Sequence, residues 1–361
     1  MGLPLAGLRV IDLTQDFAGP FCTMMLADLG AEVIKIERPD GGDETRSWGP
    51  PWVNGTSYYF HALNRGKKSI VLDLKKPEDQ KKVRKLVVDS DIFVESSRPG
   101  RVKEFHLDYP RLRRLNKALV YCSISGFGQT GPYRDRPAYD IIAYAMSGIM
   151  ASTGEPGRPP VRMSVPVADL AAGHYASTAI LAAVSKRLVT GKGDYIDIAL
   201  YDSIVSWLTY QASYYFATGK EPEKMGSAHP SIVPYQAFKC KDKYLVLAIG
   251  NDQQWKNFCK AMGLEGLHED VRFSTNRLRV KNRRPLTSIL SRTFKTRDAK
   301  DWERILVEAE VPAAIVLDAR DAIRNQQTVA RKMVNLSRRK AARLGSPMKF
   351  LQDKSRRDRP W

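Results

Sequence analysis

Short runs rich in Val and Ile alternate with helical stretches through the N-terminal half, and this alternation restricts the fold more than any other feature of the chain. Residues 8–12 read as a strand, 21–29 as a helix and 31–37 as a second strand, which makes a βαβ unit. The pattern recurs in strands at 69–74, 91–95 and 118–125, with a polar helix after Pro77. Strands apolar on both faces belong in a parallel sheet covered by helices on each side. An α/β fold with a doubly wound, Rossmann-like large domain is therefore predicted. Two helical stretches follow, 138–151 and 167–189, separated by the Gly- and Pro-rich segment 154–160, a linker or a lid. A strand at 195–200 leads into a helix that carries Trp207 and Tyr210 and fades near Gly219.

From about Pro222 the texture changes. Residues 236–240 and 244–249 look like paired strands, and amphipathic helices follow around 255–262, 284–294 and 299–309. A chain of 361 residues exceeds what a single hydrophobic core usually serves. The predicted division is a large domain over 1–221 and a smaller α+β domain over 222–325.

Several functional classes are disfavoured. Cys22, Cys122, Cys240 and Cys259 form no CxxC pair, and the five histidines show no HExxH spacing, so no metal site is expected. No run approaches the ~20 apolar residues of a membrane span. The first residues lack a basic segment followed by an apolar one. A cytoplasmic protein with no membrane partner is expected. The formal charge of +19 raises the question of a polyanionic partner. Basic residues are densest at Arg338-Arg339-Lys340 and 354–359, and elsewhere they are scattered over ordinary helices. Without a recognisable nucleic-acid motif, the bulk of the charge reads as solvated surface and no nucleic acid is expected.

The first βα turn, Thr14-Gln15-Asp16-Phe17-Ala18-Gly19-Pro20, lacks the GxGxxG that lets backbone approach a dinucleotide pyrophosphate, which disfavours a nicotinamide or flavin cofactor. The helix start after it still offers N–H groups to a phosphate or a carboxylate. Arg38, Lys75, Arg98 and Arg101 fall at or just past predicted strand ends. Ligands of open α/β sheets collect at that edge, and Arg grips phosphate oxygens through paired hydrogen bonds, so a nucleotide with several phosphates suits the cluster. Taken singly, each also reads as a solvated residue that ends a strand. Asp169 follows Pro166, read as the first helical position, and is followed by Leu170-Ala171-Ala172-Gly173. A carboxylate in the first turn of a largely buried helix is expected to stay ionised through the helix dipole and free N–H groups. It suits a nucleophile toward an acyl group, or an acid that merely stabilises its own helix.

A dense set of segments then resembles one family. These are residues 7–14, Ala18-Gly19-Pro20, residues 26–39, Asn64-Arg65-Gly66-Lys67-Lys68-Ser69, Gly126-Phe127-Gly128 with Gly131-Pro132-Tyr133, Arg136-Pro137-Ala138-Tyr139-Asp140, Ala168-Asp169, residues 229–236 and residues 250–255. Together they resemble the class III CoA-transferases of the CaiB/BaiF group, from Gly7 to about Met333.

The resemblance implies that Asp169 is the catalytic nucleophile, carrying first an acyl-aspartyl anhydride and then an aspartyl-CoA thioester while CoA passes from an acyl-CoA to a free carboxylic acid. It implies that Arg38, Leu72, Lys75, Ser96, Arg98, Arg101, Lys103, Arg136 and Tyr139 bind coenzyme A, which is a substrate and not a permanently bound cofactor. Asp16, Phe17, Ala18 and Asp140 are expected to line the active site, with Gly250, Asn251 and Asp252 as a mobile covering loop. An interlocked homodimer is implied, as is a C-terminal segment, 326–361, that returns to the large domain. Ser96 and Ser97 stand where the family often has Asn and an aromatic residue, and Phe17 suggests an apolar acyl pocket. The related 2-methylacyl-CoA racemases carry a Gly-His-Asp run where this chain has Ala138-Tyr139-Asp140, which favours transfer over racemisation. A non-catalytic CoA-binding or nucleic-acid-binding protein is the remaining alternative.

Overall fold

The computed structural model describes residues 2–335 and 343–350; the basic stretches 338–340 and 354–359 lie outside the described residues, as does part of the 326–361 segment. The described chain divides into two compact units, one comprising residues up to 151, 162–220 and those from 329 onward, the other 152–161 with 221–328.

The first unit is built on six parallel strands: β1 (Arg9–Leu13), β2 (Glu32–Glu37), β3 (Lys67–Val71), β4 (Ile92–Glu95), β5 (Val120–Ser125) and β6 (Tyr195–Ala199). Their order is β3-β2-β1-β4-β5-β6, so the chain winds outward one way from β1 and then the other. That reversal opens a crevice at the carboxyl ends of β1 and β4. Successive side chains point to opposite faces. Val10, Val94, Val120 and Cys122 join one core with helices α1 (Ala18–Asp28) and, further along, Val167–Thr190. Ile11, Phe93 and Tyr121 join the other, with Val83 and Val87 of α2 (Pro77–Val88).

The central strands β4 and β5 are buried along their whole length, as the apolar runs predict. The edge strands are not: β3 is half exposed and β6 alternates. β3 also begins at Lys67, two residues before the expected start at Ser69, because pairing with β2 carries the ladder back to Val33 opposite Lys67.

The expected helix over 138–151 is broken. Helix α3 (Asp140–Met146) ends at Ser147, Gly148 takes φ 83°, and a short turn, Ile149–Ser152, follows. A positive φ is open to glycine at little steric cost and ends the helix there.

Helix α4 (Val167–Thr190) lies against α1. A Cβ on Gly173 would sit 2.8 Å from both Ala18 O and Phe21 Cδ1, so the two backbones approach as closely as they do only because that position has no side chain. Helix α5 (Leu200–Val205) completes this side of the unit, placing Leu200 and Ile204 in the same core.

In the second unit, β7 (Tyr235–Lys239) and β8 (Tyr244–Ala248) pair antiparallel, as the sequence suggests, and β9 (Ala313–Ile315) adds a third strand beside β8. Helices α6 (Asp252–Ala261), α7 (Arg283–Phe294) and α8 (Ala299–Glu308) bury Trp255, Phe258, Leu290, Phe294 and Trp302 against Phe238, Leu245 and Leu247. Cys22 and Cys122 are buried in the first unit, Cys240 and Cys259 in the second.

Candidate active site

At the crevice, the turn after β1 is held from below by buried charge. Asp12 accepts hydrogen bonds from Thr14 N at 3.0 Å, Thr23 Oγ1 at 2.7 Å and Lys67 Nζ at 3.0 Å. Lys67 Nζ also donates to Pro20 O at 2.9 Å and Asn64 Oδ1 at 2.8 Å. Lys35 Nζ donates to Thr14 O at 2.7 Å and pairs with Asp43 at 2.8 Å. Burial alone would raise the Asp12 carboxyl, but Lys67 and Lys35, with the hydrogen bonds from Thr14 and Thr23, together outweigh it and hold the group at about 2. The segment around Asn64 to Lys67, which sequence marks only as a family match, thus braces the turn.

Above this brace, Ser96 Oγ after β4 accepts from Gln15 N at 2.9 Å, tying the two strand ends together across the crevice. Asp16 takes φ 67°, an uncommon conformation that Asp tolerates better than most residues. Its Oδ1 is buried and has no hydrogen-bond partner among the described residues.

The turn forms one wall of a cavity of ≈ 270 Å³. Asp16, Phe17, Ala18, Ser96, Tyr139, Asp140 and Asp169 all line it. So do Gln15, Trp48, Tyr59 and Arg162, which sequence reasoning missed. Phe17 and Tyr59 meet edge to face at 5.8 Å, and Tyr59 meets Trp48 at 5.3 Å, giving the wall a continuous aromatic strip. The Tyr58-Tyr59 pair and Trp48 beside Gly49-Pro50-Pro51 were the available signals, but nothing local connects them to Asp169.

Asp169 enters from the first turn of α4. The helix begins at Val167, as the stretch 167–189 predicts, and Pro166 is the flanking residue instead of the first helical position. The expected ionised state is also overturned. Asp140 Oδ1 accepts from Ala168 N at 2.8 Å and Asp169 N at 3.5 Å, so the N–H groups that were to hold Asp169 are directed to another carboxylate. Burial first, and then the charges of Asp140 and Asp16, raise the Asp169 carboxyl to about 8. Burial, with Asp43 and Glu44, likewise raises Asp16 to about 6.

The remaining predicted residues do not line this cavity. Arg38 is exposed after β2, donating to Asp40 O at 3.1 Å and pairing with Glu44 at 3.3 Å. Leu72 N donates to Glu37 O at 2.9 Å, and Lys75 is exposed three residues further on. Arg98, Arg101 and Lys103 are exposed after β4, with Arg101 paired to Glu104 and lying over the Phe105 ring. Arg136 packs over Tyr133 and Phe127, 5.4 and 5.8 Å from the ring centres. Gly250, Asn251 and Asp252 belong to the second unit. There Asn251 caps α6 through Gln254 N at 2.8 Å, Gly250 N donates to Gln254 Oε1 at 2.8 Å, and Asp252 pairs with the fully buried Arg279 at 2.8 Å. Among the described residues no group of three or more His, Cys, Asp or Glu side chains is arranged to hold a metal ion.

A doubly wound sheet with a carboxylate set in an aromatic cavity at its switch point defines an α/β enzyme site for a small ligand. The sequence matches CoA-transferase family III over residues 5–360, and the chain belongs to that family and is an enzyme of that class. It is 46% identical over 331 residues to a succinyl-CoA:glutarate CoA-transferase of Mus musculus, covering 92% of this chain and 76% of that one. It is 42% identical over 334 residues to a succinate–glutarate CoA-transferase of Agrobacterium fabrum, covering 91% and 84%. The crystal structure of a CAIB/BAIF family protein from Brucella suis superposes with a TM-score of 0.88 at 42% identity, covering 98% of this chain and 94% of that one.

Proposed function

We propose that this chain exchanges CoA between an acyl-CoA and a free carboxylic acid through covalent intermediates on Asp169. An Asp169 oxygen attacks the donor thioester carbonyl and expels CoA thiolate, leaving an acyl-aspartyl anhydride. The thiolate then attacks the aspartyl carbonyl, releasing the donor acid and leaving an aspartyl-CoA thioester. An acceptor carboxylate repeats the two steps in reverse, and the Asp169 carboxylate is regenerated.

The observation that carries this reading is a half-buried Asp169 lining an aromatic-walled cavity at the sheet's switch point. Anhydride and thioester both lose their energy to water, which aromatic walls help to exclude. Because burial favours the protonated acids, the cavity holds less negative charge than three carboxylates imply, and a substrate anion meets less repulsion on entry. The same desolvation leaves the ionised Asp169 poorly solvated and reactive.

Arg38, Leu72, Lys75, Ser96, Arg98, Arg101 and Lys103 lie at or beyond the strand carboxyl ends, and we assign them to the CoA nucleotide, with Arg136 and Tyr139 toward the pantetheine. An interlocked homodimer acting in the cytoplasm completes the proposal. Racemisation by a histidine and aspartate pair is not favoured, since no histidine lines the cavity among the described residues. The glutarate and succinyl groups in the relatives' names support short dicarboxylic acids as the substrates of this reading.

Intact mass of the wild type and Asp169→Ala after mixing with succinyl-CoA, followed by hydroxylamine trapping, tests the mechanism. An acyl or CoA adduct is expected on the wild type and not on the variant. Exchange without any adduct sinks the covalent route.

A further inference from the structure

The cavity contains one feature that the exchange chemistry does not require. Among its described lining residues Arg162 is the sole cation, set in the segment that leads into Pro166 and α4. Its Nε donates to Met163 O at 3.0 Å, which orients the guanidinium while leaving its two terminal nitrogens for another partner. No described carboxylate lies within ion-pair distance of it, although its charge is felt by both Asp140 and Tyr59. The ionisable acids of the wall, Asp16, Asp140 and Asp169, offer a second substrate carboxylate no counter-charge. An aliphatic or monocarboxylic acyl group needs no cation in an aromatic pocket, and the guanidinium fork matches carboxylate geometry.

We propose that Arg162 receives the distal carboxylate of a short dicarboxylic acid whose other carboxyl group reacts at Asp169, making it a specificity-determining residue. The assignment rests on the exchange reaction proposed above and adds the group that selects the acid.

The test compares glutarate with pentanoate, an acid of the same chain length with one carboxylate, as acceptors from a common acyl-CoA donor. For Arg162→Gln, the ratio of kcat/KM for glutarate to that for pentanoate is expected to fall about 10- to 100-fold, the loss of one charged hydrogen-bonded pair. Arg162→Lys, which keeps the charge without the fork, is expected to fall between the two. Melting temperature and far-ultraviolet circular dichroism establish that each variant is folded, and Arg162→Lys supplies the comparison if Arg162→Gln is not. An unchanged ratio, or equal loss for both acids, overturns the proposal. A wild type that prefers pentanoate also overturns it, whereas the aspartyl mechanism is judged separately by the adduct on Asp169.

Discussion

Asp140 Oδ1 accepts a hydrogen bond from the backbone N–H of Ala168 at 2.8 Å, so the helix that presents Asp169 is capped by a carboxylate from a different helix, 28 residues upstream. One acid thereby anchors the segment carrying the other, and its charge helps to keep that other acid protonated.

Removing the cap has two separable effects. Asp140→Ala is expected to cost ~1 kcal/mol of stability, the usual value of an N-terminal cap, seen as a melting point lower by a few degrees. It also removes a negative charge beside Asp169, so the Asp169 carboxyl should titrate lower. Asp140→Asn keeps an acceptor and is expected to restore most of the stability but none of the charge.

The raised Asp169 carboxyl penalises the fold increasingly as pH rises from about 4 to about 8. Below its ordinary 3.8, Asp169 is protonated whether folded or unfolded; between there and about 8 only the unfolded chain ionises, so stability contributed by the group is lost as pH rises. Asp169→Asn is expected to match the wild type near pH 4 and to exceed it at pH 8, by on the order of a few kcal/mol. Denaturant titrations at the two pH values measure this, and a constant difference between the proteins would count against it.

Attack requires the ionised acid, and kcat/KM reports groups of the free enzyme. The rate of Asp169 acylation by an acyl-CoA is therefore expected to rise with pH toward about 8. In Asp140→Asn the rise should be complete at lower pH. A profile identical in both proteins would remove Asp140 from the electrostatics of the nucleophile.

Breaking the buried brace should be severe. Lys67→Met leaves Asp12 without one of its two cationic neighbours, and loss of one partner from a buried ion pair typically costs ~3–5 kcal/mol. The double variant Asp12→Asn, Lys67→Met is expected to lose less than the sum of the singles, as a denaturation cycle would show.

Gly173→Ala places a methyl group 2.8 Å from Ala18 O and Phe21 Cδ1. Overpacking of this kind costs ~1–3 kcal/mol, exceeding the modest helix-propensity gain of Ala over Gly.

The layered fold is legible in the apolar runs because period and Val/Ile content are local properties. Central strands such as Ile92–Glu95 read to within one residue; the half-exposed Lys67–Val71 does not, since its pairing with β2 sets where it starts. Asp16, Phe17, Tyr139, Asp140 and Asp169 were identified as cavity residues through family resemblance. Trp48, Tyr59 and Arg162 were not, because their proximity arises from tertiary folding of loops with no spacing rule. The ionisation of Asp169 was misjudged for a related reason: helix position is visible in sequence, whereas Asp140 occupying the first N–H groups is a contact between distant segments.

The four buried thiols have a practical use. Burial raises all of them, Cys240 to about 11 and Cys259 to about 12, so an aromatic disulfide reagent at neutral pH meets almost no thiolate while the chain is folded. Cys22 and Cys122 report opening of the first unit and Cys240 and Cys259 opening of the second, two sulfurs to each. The native chain thus contains its own pair of chromogenic clocks, and whether they run together or in sequence tells whether the two units unfold as one.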